Sequence, residues 1–131
     1  MTIGHNTETG RLFSVAIGMD AATGENDGGV ALGSGAKVMT GAANSVALGF
    51  NSTTDRELDV SVGGKGVTRT LSNLSDGSEA NDAVNVRQLN TAKDDAVTAA
   101  NKHTDTEITT LDGKAQGYAN TAKDNAVTAA N

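Results

Sequence analysis

Large side chains are the scarcest ingredient of this 131-residue chain, which has no Trp, one Tyr (Tyr118) and two Phe (Phe13 and Phe50) against 16 Gly. Most of its apolar residues are Ala or Val. A domain of this size is stabilised by burying large apolar side chains, at roughly 25 cal/mol per Å², and Ala and Gly bury little each. Such a chain is either disordered or folded as an oligomer whose neighbours supply the missing burial. Cysteine is absent as well, which excludes disulfides and thiolate metal sites without fixing the compartment. There is no basic excess: the net charge of −6 argues against nucleic acid, whose phosphates are bound by Lys and Arg. No basic run offers an anionic membrane a contact either. The longest apolar runs, such as Ala96-Val97 and Ala99-Ala100, are far too short to span a bilayer. Met1-Thr2-Ile3-Gly4-His5-Asn6-Thr7 has neither the basic nor the apolar region of a signal peptide. For a surface protein, the export signal and membrane anchor are therefore expected outside this chain.

What is present is repetition. An apolar–small–apolar–Gly unit recurs as Val15-Ala16-Ile17-Gly18, Val30-Ala31-Leu32-Gly33 and Val46-Ala47-Leu48-Gly49, with weaker copies at Thr2-Ile3-Gly4 and Val60-Ser61-Val62-Gly63. The closing glycines at 4, 18, 33, 49 and 63 are separated by 14, 15, 16 and 14 residues. Polar, Gly- and Asn-rich stretches such as Gly24-Glu25-Asn26-Asp27-Gly28-Gly29 read as turns between them. Short apolar units at near-constant spacing predict a β-solenoid with one coil per repeat. Side chains alternate along a strand, so Val46 and Leu48 point one way and Ala47 the other. All three are apolar, which predicts burial of both faces. One coil buries only one face inside itself, and the other is expected against a neighbouring chain.

From Asp82 onward the grammar changes: Gly occurs only at 113 and 117, and Pro is absent. Asp82 with Asn85 three residues later loosely fits a capping box opening a helix. The segment Asn90–Asn101 recurs thirty residues later, ending at Asn131, with Asp95 becoming Asn125 as the one change. Half that offset aligns Ala96, Leu111 and Ala126, and also Ala100, Ala115 and Ala130, with Thr104 and Ala119 completing a stripe. Fifteen residues over four turns is looser than the roughly 3.6 residues per turn of a straight helix and favours a right-handed supercoil. Ile108, Leu111, Ala115, Tyr118 and Ala122 follow heptad spacing, so the handedness is expected to change locally. An Ala-rich stripe among Thr, Asn and Asp makes a lone helix marginal in water. Several chains around one axis solve that problem, with Ala96, Ala100, Ile108, Leu111, Ala115 and Ala126 as the expected core.

The joint between the two grammars is the most specific signal. Arg69-Thr70-Leu71-Ser72-Asn73-Leu74 leads through Gly77 to Asp82-Ala83-Val84-Asn85-Val86-Arg87-Gln88-Leu89. This resembles the neck of the YadA-type trimeric autotransporter adhesins, where R-x-[LI]-x-N-[VL]-x-x-G runs into D-A-V-N-V-x-Q-L. The V-A-[IL]-G units resemble that family's head and the fifteen-residue stripe its stalk. The resemblance implies a mixed β-solenoid and coiled-coil fold: a homotrimeric left-handed parallel β-roll head over residues 1–66, a neck over 67–85, and a parallel three-helix stalk, partly right-handed, over 86–131. It implies anchoring in a Gram-negative outer membrane by a C-terminal barrel that this chain lacks. Arg69, Asp82 and Gln88 become candidates for inter-chain bonds in the neck, with Val86 and Leu89 starting the stalk core. The family's matrix-binding motif, N-S-V-A-I-G, is matched by Asn44, Ser45, Val46, Ala47, Leu48 and Gly49. Collagen is the best-known class of partner there. Gly29 replaces the Ser before Val30, which sets that coil apart.

No enzymatic chemistry is expected. His5 and His103 lie in different repeat systems and form no metal-ligand spacing. Gly63-Gly64-Lys65-Gly66 lacks the P-loop arrangement, and Gly33-Ser34-Gly35 is no better as a nucleotide fingerprint, so both read as turns. No activated nucleophile and base stand out. Asp20, Glu25, Asn26 and Asp27 have the chemistry to attract Ca²⁺, but the nonapeptide repeat signature that binds it is missing. Trimeric left-handed β-helix acyltransferases use strict six-residue periods and a catalytic His, neither of which occurs here. The reading is thus a non-enzymatic, cofactor-free surface adhesin that binds matrix protein through its head. A trimeric phage or secreted fibre segment acting as a spacer is the alternative, since such fibres share these parts.

Overall fold

Each V-A-[IL] unit becomes a strand. β1 (Thr2–Ile3), β2 (Val15–Ile17), β3 (Val30–Leu32), β5 (Val46–Leu48) and β7 (Val60–Ser61) form one parallel sheet in that order. Val15 pairs with Val30 and Val30 with Val46, so the register follows the repeat residue for residue. β4 (Lys37–Val38) and β6 (Thr53–Thr54) form a second parallel pair, extended by bridges from Glu8 to Ala22 and from Ala22 to Lys37. The computed structural model describes all 131 residues, and their contacts separate Met1–Leu71, which is this parallel β-solenoid, from Ser72–Asn131.

The solenoid interior shows why large side chains are scarce. Ala16, Ala31 and Ala47 point inward from the first sheet at 0% exposure. They face Ala21, Thr23, Ala36, Val38, Ser52 and Thr54 from the second column, all at 2% or less. The coils stack about 4.8 Å apart, and the interior holds no fully buried side chain larger than Val38. Polar atoms here are satisfied along the coil axis: Ser45 Oγ donates to Arg56 O at 2.6 Å and accepts from Asp59 N at 3.1 Å. The glycine column follows from the same spacing. Gly33 sits at φ +129°, and a Cβ there would lie 2.6 Å from the carbonyl carbon of Gly49 in the next coil.

The expectation that both strand faces are buried needs correction for the single chain. Val15, Ile17, Val30, Leu32 and Val46 are half-buried and Leu48 is 45% exposed, because they point outward from the first sheet. The chain itself covers only the Ala face.

In the second unit, helix α1 runs from Val86 to Ala130. Its 45 residues correspond to roughly 67 Å of helix, and none of them is buried. The hydroxyls of Thr104, Thr106, Thr109 and Thr121 donate to carbonyls four residues back, at 2.8–3.0 Å, which satisfies them without stabilising the helix. The cap also differs from expectation. The capping box is Asn85 with Gln88, in which Asn85 Oδ1 accepts from Gln88 N at 3.0 Å and Gln88 Oε1 from Asn85 N at 3.3 Å. Asp82 lies too far upstream to cap and closes a separate turn.

Candidate functional site

The segment Asn44–Gly49 divides by face. Ser45 and Ala47 are fully buried and belong to the coil interior. Gly49 packs against the Arg69 guanidinium, as a Cβ on it would lie 3.1 Å from Arg69 Cζ. Asn44 is exposed at φ 54°, a left-handed turn conformation that Asn tolerates. Val46 and Leu48 present the apolar outer face. Only Asn44, Val46 and Leu48 therefore offer side chains to anything outside the coil.

Arg69 closes the solenoid. Along the stack, the carbonyls of His5, Met19 and Ser34 each accept from the next coil, through Asp20 N, Gly35 N and Asn51 N. Phe50 O is next in this series, and it accepts from Arg69 Nη2 at 2.6 Å. Arg69 Nη1 also donates to Val62 O, and to Ser52 Oγ at 3.0 Å. Ser52 Oγ in turn donates to Leu48 O at 2.6 Å, replacing the amide that Gly18, Gly33 and Gly49 supply to the coils before them. One guanidinium and one hydroxyl thus stand in for a further coil.

The other sequence-selected polar residues are also engaged within the chain. Asp82 Oδ2 accepts from Ser78 N at 2.9 Å and Glu79 N at 3.0 Å. These backbone donors stabilise the carboxylate and hold the Asp82 pKa below its ordinary value. Gln88 Nε2 donates to Gly77 O at 2.9 Å while Gln88 Oε1 accepts from Gly77 N at 3.0 Å, so the amide clamps that peptide from both sides. Asn85 Nδ2 donates to Leu74 O and Asp76 Oδ1, and Arg87 pairs with Asp76 at 2.6 Å. Val86 and Leu89 are 72% and 63% exposed on the helix.

Ala96, Ala100, Ile108, Leu111, Ala115 and Ala126 share one helix face, within about 120° at 100° per residue. All are exposed in the single chain, Ile108 at 59% and Leu111 at 64%. One residue of the suggested cation cluster does something else. Asn26 is buried, donating to Thr23 O at 2.8 Å and Met39 O at 2.7 Å and accepting from Gly41 N at 2.8 Å. It pins the broad turn of one coil onto the next. No sequence pattern marks it, since Asn is equally at home in an exposed turn.

No family model matches the chain. Over 76 residues, 56% of the chain, it is 42% identical to the autotransporter adhesin EhaG of Escherichia coli O157:H7. It spans 5% of that relative's length. Among solved structures it is similar to the collagen-binding domain of the Yersinia adhesin YadA, at 32% identity and a TM-score of 0.59. That match covers 71% of this chain and 58% of the other.

Proposed function

We propose that this chain, a head–neck–stalk segment of the YadA type of trimeric autotransporter adhesin, forms a homotrimer whose head attaches to extracellular matrix protein such as collagen. Residues 1–66 serve as head, 67–85 as neck and 86–131 as stalk. The role is binding and not catalysis. The longer protein sits in the outer membrane of a Gram-negative bacterium, and the stalk carries the head away from it.

One observation carries the trimer: the outward Val, Ile and Leu columns of the first sheet are left half-open by their own chain. Three copies packed around an axis bury these columns together, adding the large-residue burial that the Ala interior lacks. The helix follows the same logic, since none of its residues is buried in one chain. With the apolar columns covered, Asn44 remains as the accessible side chain of the Asn44–Gly49 motif. Likeness to a collagen-binding domain supports collagen as the partner class. A trimer on a crowded surface turns weak single contacts into firm attachment by effective concentration.

Sedimentation equilibrium is expected to return three times the 13.2 kDa chain mass; a folded monomer would overturn the assembly. Solid-phase binding to collagen, laminin and fibronectin then tests adhesion, beside a stalk-only control. Retention of the full chain but not the control supports the reading. Equal retention of both, or of neither even when the trimer is clustered on beads, refutes it.

A further inference from the structure

The second column of the solenoid lies across the core from the apolar sheet, and its outward residues form a polar groove along the coil axis. Glu8, Asp20, Lys37 and Lys65 line it, together with Asn6 and Asn51. The charges are segregated. Glu8 and Lys37 belong to one column, joined through Ala22 by successive bridges. Two coil steps place them about 10 Å apart. In the adjacent column Asp20 comes early, whereas Lys65 lies at the far end, in the turn after Gly64, which stacks on Thr53 of the Glu8–Lys37 column. Three coil steps make their separation along the axis about 14 Å. Along the coil axis the acids therefore precede the bases.

None of these four groups has an ion-pair partner, because the chain's ion pairs are Arg56–Asp59, Arg87–Asp76 and Lys93–Asp94. Asp20 accepts a hydrogen bond from Asn6 Nδ2 at 2.7 Å, which orients its carboxylate. The groove also lies across the core from the apolar columns proposed as the trimer contact.

We propose that this groove docks an extended polypeptide segment carrying one basic and one acidic side chain four residues apart, on the same face of the strand. An extended strand advances about 3.3 Å per residue and puts residues i and i+4 on one face, so that spacing spans about 13 Å, between the roughly 10 and 14 Å separations of the groove. The basic side chain sits against Glu8 and Asp20, and the acidic one against Lys37 and Lys65. A polyanion such as a glycosaminoglycan is disfavoured, because half the groove is acidic. The inference rests on the adhesive reading for its class of partner and adds which surface binds and what charge order it selects.

The test uses the full chain and three fluorescein-labelled peptides of Gly/Ser background, with Lys and Glu, Lys and Lys, or Glu and Glu separated by three residues. Fluorescence anisotropy is expected to rank the Lys/Glu peptide first, with binding that weakens as salt rises. Lys37→Glu with Lys65→Glu is expected to weaken it about tenfold and move preference to the Lys/Lys peptide. Glu8→Lys with Asp20→Lys is expected to move it to the Glu/Glu peptide. A switch of preference cannot come from partial unfolding, and circular dichroism checks the fold independently. No binding, unchanged preference in both variants, or stronger binding of heparin oligosaccharide than of any peptide would each overturn the proposal. Matrix adhesion is scored separately: retained adhesion without peptide discrimination removes the groove alone, and discrimination without adhesion removes the adhesive reading alone.

Discussion

The Arg69 guanidinium donates to Phe50 O at 2.6 Å, where each earlier coil receives a backbone amide from its successor. A sheet edge with unpaired carbonyls is both unstable and a template for further pairing. Arg69 answers both problems with one planar donor group reaching Phe50 O, Val62 O and Ser52 Oγ.

Replacing Arg69 by Ala is expected to lower head stability by roughly 0.5–1.5 kcal/mol, since bonds from a charged donor are lost while water reaches the exposed Phe50 and Val62 carbonyls. Arg69→Lys is expected to recover only part, because an ammonium lacks the fork that spans several acceptors at once. Thermal melts of the three proteins, followed in the β-sheet region of the circular dichroism spectrum, check the order. Equal midpoints for wild type and Arg69→Ala would show that the last coil needs no cap.

Much of this fold is written plainly in the chain. The V-A-[IL]-G spacing marks the strands of the first sheet, including the weak copies, because parallel stacking turns sequence period into register. Alternation also places Ala47 opposite Val46 and Leu48. The second column was less legible. Ala21–Thr23, Ala36–Val38 and Ser52–Thr54 share little beyond small size, and small size is all that the narrow interior demands. Read locally, Asp82 with Asn85 fits a cap because Asp and Asn serve equally in turns and at helix starts; only the pairing of Asn85 with Gln88 decides it. The end-closing role of Arg69 depends on which carbonyls lack partners, a three-dimensional fact with no local signature. The groove is similarly hidden, as Glu8 and Lys37 lie 29 positions apart and meet only through stacking.

Leu111 tests the proposed stalk. It is 64% exposed in one chain, so in an isolated helix a polar replacement would be harmless. In a trimer with Leu111 at the axis, Leu111→Asp brings three carboxylates together in a dry layer, which costs several kcal/mol per buried ion. The helical melting transition is expected to fall sharply, and trimer mass to be lost at lower temperature. An unchanged helical transition would refute the fifteen-residue register that places Leu111 with Ala96 and Ala126.

Asp82 supplies a pH-dependent prediction. Its carboxylate accepts from the backbone amides of Glu79 and Ser78, which depress its pKa in the folded chain relative to the unfolded one. A depressed folded value means the unfolded state binds the proton more readily. The turn is therefore stabilised above the unfolded pKa, and that contribution is lost as pH falls through the lower, folded value. Near neutrality nothing should change. On acidification, the amide chemical shifts of Ser78 and Glu79 are expected to move together, at a midpoint below the ordinary carboxylate range, as their acceptor is protonated. Asp82→Asn keeps an acceptor oxygen but cannot titrate, so both shifts should become flat through that range while the turn persists. If the two amides titrate unchanged in Asp82→Asn, another acid controls the turn. If they do not move in the wild-type chain, the carboxylate is not held by these two donors.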